Sequence, residues 1–178
     1  MGRLVLVTGG ARSGKSTYAE SLAIRLCSDA RSRTYIATAQ AFDDEMKERI
    51  RLHRERRGDL FRTMEEPVEL ARAVGDACRS SSVVLVDCLT VWTSNLLFYE
   101  REDEVQRLLD VLSSCVESSP CDIVLVTNET GMGIVPANEL SRRFRDLAGI
   151  VNQRVASVAT DVVFMVCGLP MAVKGVVL

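Results

Sequence analysis

The chain has 178 residues, 47% of them hydrophobic and 26% charged, with a formal net charge of −2. That length supports one well-buried core spanning 1–178 rather than two domains, and the near-balanced charge lacks the basic excess with which nucleic-acid binders track phosphates, so no nucleic-acid partner is expected. The six cysteines (Cys27, Cys78, Cys88, Cys115, Cys121 and Cys167) form no C-x-x-C pair and His53 is the sole histidine, so the thiols read as reduced packing residues and a structural zinc site lacks clustered ligands.

The first element is an apolar strand over residues 3–8. No charged-then-apolar leader precedes it, and no apolar run approaches the ~18 residues of a membrane span, so a soluble, cytoplasmic protein without membrane insertion is expected. Directly after it, Gly9, Gly10, Ala11, Arg12, Ser13, Gly14, Lys15 and Ser16 fit the phosphate-binding loop pattern G-x-x-x-x-G-K-[ST], followed by a predicted helix over 15–28. Glycines let such a loop turn tightly and aim successive N–H groups inward, and the helix N-terminus adds positive potential, so a triphosphate is the natural guest. Lys15 would then contact the β- and γ-phosphates, and the Ser16 hydroxyl would be a ligand of the Mg²⁺ that bridges them.

A strand at 34–37 leads to a predicted helix over 43–57 that carries the one imidazole in strongly basic surroundings. Arg49, His53 and Arg56 share a face at i, i+4 and i+7, so an anion there would meet imidazole and guanidinium together. A solvated basic helix explains the same pattern, and spacing leaves both readings open. After a helix over 68–80, the strand at 83–87 ends in Asp87, which beside a phosphate loop is the candidate second Mg²⁺ partner, although strand ends also carry Asp as a turn former.

A helix over 104–118 and a strand over 122–127 follow. Residues 127–136 then concentrate polar groups and two glycines at the edge of the sheet where open α/β folds bind ligands. The helix over 138–157 is amphipathic and carries polar groups that core packing does not require; spacing alone assigns no chemistry to either segment. A strand over 161–167 and an edge strand within 171–178, after Gly168-Leu169-Pro170, complete the chain. The expected fold is α/β, a single P-loop NTPase domain with a mostly parallel, six-stranded mixed sheet and helices on both faces, because the strands are continuously rather than alternately apolar.

Several stretches together resemble the bifunctional adenosylcobinamide kinase / adenosylcobinamide-phosphate guanylyltransferase family of cobalamin biosynthesis. They are residues 8–16, 35–39, 43–46 with Arg49-Ile50 and His53-Arg54, 93–98, 126–136 and 144–154. The most specific are the Asn-Glu-Thr-Gly-Met-Gly-Ile-Val-Pro run at 128–136 and the Arg-Ile-x-x-His-Arg run at 49–54. The resemblance implies phosphorylation of the aminopropanol hydroxyl of adenosylcobinamide by ATP or GTP. It then implies transfer of GMP from GTP to adenosylcobinamide phosphate, giving adenosylcobinamide-GDP and pyrophosphate through a GMP-histidine intermediate whose histidine falls on His53.

It further implies nucleotide contacts at Ala37, Thr38, Ala39, Arg54, Glu55, Arg56, Arg57, Glu65 and Asp87, and a homotrimer. A phosphate loop favours attack at the γ-phosphorus whereas guanylyl transfer needs attack at the α-phosphorus, so either the triphosphate shifts or the His53 helix moves about a hinge after Ala41-Phe42. Relatives carry Glu or Asp where this chain has Asp87, and the tail at 168–174 matches only loosely. The competing readings are a P-loop kinase of another small alcohol, which His53 argues against, and a nucleotide-dependent regulatory protein, which cobinamide-dependent nucleotide consumption would exclude.

Overall fold

Strand β1 (Leu4–Gly9) is apolar at every position from Leu4 to Val7 and is buried there on both faces, the condition under which a parallel strand sits in the middle of a sheet. The computed structural model describes residues 2–41 and 44–176; in the second helix the side chains at positions 45, 46, 49, 53, 56 and 57 are not among those described. The remaining strands are β2 (Arg33–Ala37), β3 (Arg62–Glu65), β4 (Val83–Asp87), β5 (Asp122–Val126), β6 (Asp161–Val166) and β7 (Leu169–Lys174). They form one sheet in the order β3-β2-β4-β5-β1-β6-β7, parallel throughout except for β7, which returns antiparallel to β6.

The helices are α1 (Lys15–Leu26), α2 (Asp44–Arg57), α3 (Leu70–Ser80), α4 (Leu89–Tyr99), α5 (Glu104–Ser118) and α6 (Glu139–Val158). Alternate strand residues feed two cores. Leu4, Leu6, Ile36, Val84, Val86, Ile123 and Leu125 pack against α3, α4, α5 and α6, whereas Val5, Val7, Tyr35, Leu85, Val124 and Val126 pack against Ala19, Leu22 and Ala23 of α1. Helices therefore cover both faces, as expected for a continuously apolar parallel sheet.

Two elements depart from the sequence expectation. The sheet has seven strands rather than six, because β3 forms from Arg62-Thr63-Met64-Glu65, an exposed edge segment with no apolar run to announce it. Helix α4 was not expected either. Its Leu89, Trp92, Thr93 and Leu96 are buried while its apolar residues follow no single stripe, so periodicity gives no helical signal. The edge strand begins at Leu169 rather than Met171, after a turn in which Cys167 and Gly168 have positive φ; Val177 and Leu178 lie outside the described residues.

Register brings the C-terminal ends of the strands into one row. Glu65 pairs with Ala37, Ala37 with Asp87, Asp87 with Val126, and Val126 with Val7, two residues before the loop glycine Gly9. The opposite edge holds a thiol cluster. Cys78, Cys115 and Cys121 come together there, and a hydrogen bond to Cys121 together with burial pushes the Cys78 thiol up, keeping it protonated. Among the described residues, no helix is long and apolar enough to cross a membrane.

Candidate active site

The loop between β1 and α1 has the backbone its glycines were expected to provide. Gly9 sits at φ +148°, where a Cβ would lie 2.5 Å from the Met165 carbonyl oxygen of the neighbouring strand and 2.9 Å from Ser13 Oγ. Gly14 sits at φ +93° and caps α1. The Ser13 N–H donates to the Gly10 carbonyl at 3.3 Å, and the Ser13 carbonyl accepts from the Gly168 N–H at 3.1 Å, tying the loop to the β6–β7 turn. Ser13 Oγ and Thr8 Oγ1 are buried without a hydrogen-bond partner among the described residues, a state that ligand oxygens would relieve.

Lys15 is buried at the start of α1 and its Nζ donates to the Gly10 carbonyl at 2.6 Å. Burial lowers its pKa from the usual lysine value, while the neighbouring Cys88 and Asp87 pull it back up. Asp87 accepts from the Tyr35 hydroxyl at 3.0 Å. Ser16, in the first turn of α1, and Asp87, at the end of the strand over which α1 packs, are hard oxygen donors of the kind Mg²⁺ takes beside a triphosphate, so this donor set fits that ion. The Cys88 thiol next to it is pushed up to about 12 by burial and by the Asp87 charge, so it is no nucleophile.

A groove of about 770 Å³ opens between α2 and the ends of β2 and β3. Ala37, Ala39, Arg54 and Glu65, four of the expected nucleotide contacts, line it together, and an Arg54 guanidinium nitrogen lies 2.6 Å from the Glu65 carboxylate. Lys47, Ile50 and Arg51 complete its α2 wall. Spacing of 3, 4 and 7 from Lys47 to Arg54 was legible as a helical face, but the basic residues drew attention to Arg49 and Arg56 instead. Glu55 turns to Arg51 on the helix surface. His53 occupies the α2 position before Arg54; its side chain and those of Arg49, Arg56 and Arg57 lie outside the described set, as does Phe42 of the expected hinge.

Thr38 stands differently from its neighbours. It is fully buried, its hydroxyl donates to the Cys88 carbonyl at 2.8 Å and accepts from the Cys88 N–H at 2.9 Å, and its own carbonyl accepts from Asn95 Nδ2 at 2.9 Å. The side chain thus clamps the ends of β2 and β4 and holds Asp87 in place.

A parallel sheet whose phosphate loop and strand-end acid meet in this way defines a P-loop NTPase-type nucleotide-binding domain. Solved structures share the fold: the flagellar accessory protein FlaH from Methanocaldococcus jannaschii (TM-score 0.55, 13% identity, 97% of this chain and 78% of that one) and the KaiC-like protein PH0186 from Pyrococcus horikoshii (TM-score 0.51, 12% identity, 91% and 70%). Within that class, residues 5–173 match the family described as cobinamide kinase / cobinamide phosphate guanyltransferase, and the chain belongs to it.

Curated relatives agree over nearly their whole length. The bifunctional adenosylcobalamin biosynthesis protein CobP of Pseudomonas aeruginosa is 46% identical over 170 residues, 96% of each chain. The CobU proteins of Salmonella typhimurium and Escherichia coli K12, named in the same way, are 42% and 40% identical over 188 and 184 residues, 96% of this chain and 99% of each relative.

Proposed function

We propose that this chain is a bifunctional enzyme of adenosylcobalamin synthesis that phosphorylates adenosylcobinamide and then carries GMP from GTP to adenosylcobinamide phosphate through His53. Family membership supports the two activities. The observation that carries the site assignment is the row Glu65, Ala37, Asp87, which joins the phosphate loop to the α2 groove along one sheet edge. In the first reaction Lys15 and the loop N–H groups hold the triphosphate, ATP or GTP, while the hydroxyl of the acceptor takes the γ-phosphoryl group. Ser16 and Asp87 would hold Mg²⁺, which would neutralise charge on the triphosphate.

In the second reaction a neutral imidazole nitrogen of His53 attacks the α-phosphorus of GTP. The N–P bond forms as the bond to the bridging oxygen breaks, pyrophosphate leaves with the electron pair, and the acceptor's phosphate oxygen then displaces histidine to complete the diphosphate. Glu65 and the arginine at position 54 lie in the groove from which α2 would present the nucleotide. The reading includes action in the cytoplasm and assembly as a homotrimer; the exposed apolar edge strand with Leu169, Met171 and Val173 is a surface of the kind subunits cover and supports the assembly.

The test is incubation of wild type and His53→Asn with Mg²⁺ and GTP labelled at the α-phosphate, then denaturation. Acid-labile label on wild type alone is expected. Wild type that binds GTP yet stays unlabelled sinks the covalent route and moves a simple kinase ahead.

A further inference from the structure

The kinase reaction, on the proposed reading, must take a proton from an alcohol, and none of the residues named so far does so. Guanylyl transfer makes no such demand, because its acceptor is a phosphate already ionised at neutral pH. A base serving only the first reaction should therefore sit beside the γ-phosphate end of the loop, on an element not needed for the nucleotide itself.

The segment after β5 meets that description. β5 lies between β1, which carries the phosphate loop, and β4, which carries Asp87, so the residues leaving its end emerge between the two. The Thr127 N–H donates to the Val7 carbonyl at 3.0 Å and the Glu129 N–H to the Gly9 carbonyl at 3.0 Å. The next carbonyl along, that of Gly10, is the one Lys15 Nζ contacts, so the Glu129 backbone is fixed one peptide unit from the lysine's anchor.

Two other elements hold the same segment. From α4, the Thr90 hydroxyl accepts from the Asn128 N–H at 2.6 Å. From α6, Asn152 donates to the Asn128 carbonyl at 3.1 Å and accepts from the Thr127 hydroxyl at 2.7 Å. The half-buried Glu129 carboxylate is itself oriented by the Gly131 N–H at 2.7 Å. Of the two acids in the strand-end row, Asp87 accepts from the Tyr35 hydroxyl and lies near enough to the lysine to raise its pKa, and Glu65 pairs with Arg54 at the far end. Just beyond Glu129, Met132, Ile134 and Val135 stand exposed, an apolar surface for a bulky acceptor.

We propose that Glu129 is the general base of the phosphoryl transfer. Its carboxylate takes the acceptor hydroxyl proton as the new O–P bond forms to the γ-phosphorus and the bond from that phosphorus to the β–γ bridging oxygen breaks. The nucleoside diphosphate leaves with the electron pair, and the proton returns to solvent.

The experiment measures both transfers separately, giving Glu129→Gln either cobinamide with ATP, or chemically prepared cobinamide phosphate with GTP. Loss of a general base costs roughly 100-fold or more in kcat. Phosphorylation should fall by at least that, with the nucleotide KM unchanged and the acid limb of its pH–rate profile gone, while guanylyl transfer changes by less than about threefold. Glu129→Asp, which keeps the charge, should recover part of the phosphorylation rate, and it carries the test if the glutamine variant fails to fold. A loss of phosphorylation below about tenfold, or both transfers falling together, overturns the assignment of Glu129. Wild type that performs neither transfer overturns the functional reading beneath it.

Discussion

Replacing Thr38 by Val tests whether that residue touches nucleotide or clamps the strands. The substitution keeps shape and removes the hydroxyl that both donates to and accepts from the Cys88 backbone, at 2.8 and 2.9 Å. Each backbone group left unpaired in a partly buried place costs about 1–3 kcal/mol, and taking about 1–1.5 kcal/mol for each of the two gives a loss of about 2–3 kcal/mol. For a domain of this size that is a fall in Tm of about 4–12 °C. Urea unfolding followed by circular dichroism would read it as a lower midpoint at unchanged m-value. Thr38→Ser keeps the hydroxyl and should lose less than about 1 kcal/mol, with GTP affinity within about threefold of wild type. A valine variant within about 0.5 kcal/mol of wild type but with GTP binding abolished would refute the clamp and make Thr38 a direct contact.

Gly9→Ala forces a Cβ to 2.5 Å from the Met165 carbonyl at a φ that L residues rarely adopt; nucleotide affinity should drop about 5- to 30-fold, measured by calorimetry, because strain of about 1–2 kcal/mol must be relieved by moving the loop. The Arg54–Glu65 pair is exposed, so Glu65→Gln should leave the urea midpoint nearly unchanged, a stability effect under about 1 kcal/mol, yet weaken GTP binding about tenfold if the groove holds the nucleotide. Asp161 anchors β1 to β6. Burial raises its pKa, but hydrogen bonds from the Thr160 hydroxyl, the Val176 N–H and Arg3 outweigh it, so the folded-state value is depressed. A depressed carboxyl contributes stability above its unfolded pKa of about 3.9 and loses it as pH falls through the folded value, so urea midpoints should decline below about pH 4 in wild type and decline less in Asp161→Asn.

Much of the site was legible because its signals are local. Eight contiguous residues specify the phosphate loop, and two of its glycines, Gly9 and Gly14, take the positive φ that glycine allows. Asp87 was legible once the loop was known, since four apolar residues before it mark a central strand. Thr38 was readable only by resemblance, and its role as a strand clamp depends on Cys88, fifty residues away. The α2 wall of Lys47, Ile50 and Arg51 has regular helical spacing, but in so charged a helix the histidine and its arginines mark a different face and nothing in the chain ranks one above the other. Glu129 was part of a segment flagged as polar and glycine-rich, with nothing in its spacing to separate a base from a loop residue.

The sequence by itself determined the fold class, the loop, the strand-end acid and the single imidazole available for covalent chemistry, because these rest on contiguous pattern and on residue count. Only the tertiary structure decided that β3 joins the sheet and that α4 is a helix packed into the core, since edge pairing leaves no apolar run and the apolar residues of α4 lie on its exposed as well as its buried side, Phe98 and Tyr99 among them. It also decided which distant residues share an edge. Parallel register sets Glu65, Ala37 and Asp87 in one row and brings Glu129 to the loop at Gly9, and register is a property of strands paired across tens of residues that no local stretch encodes.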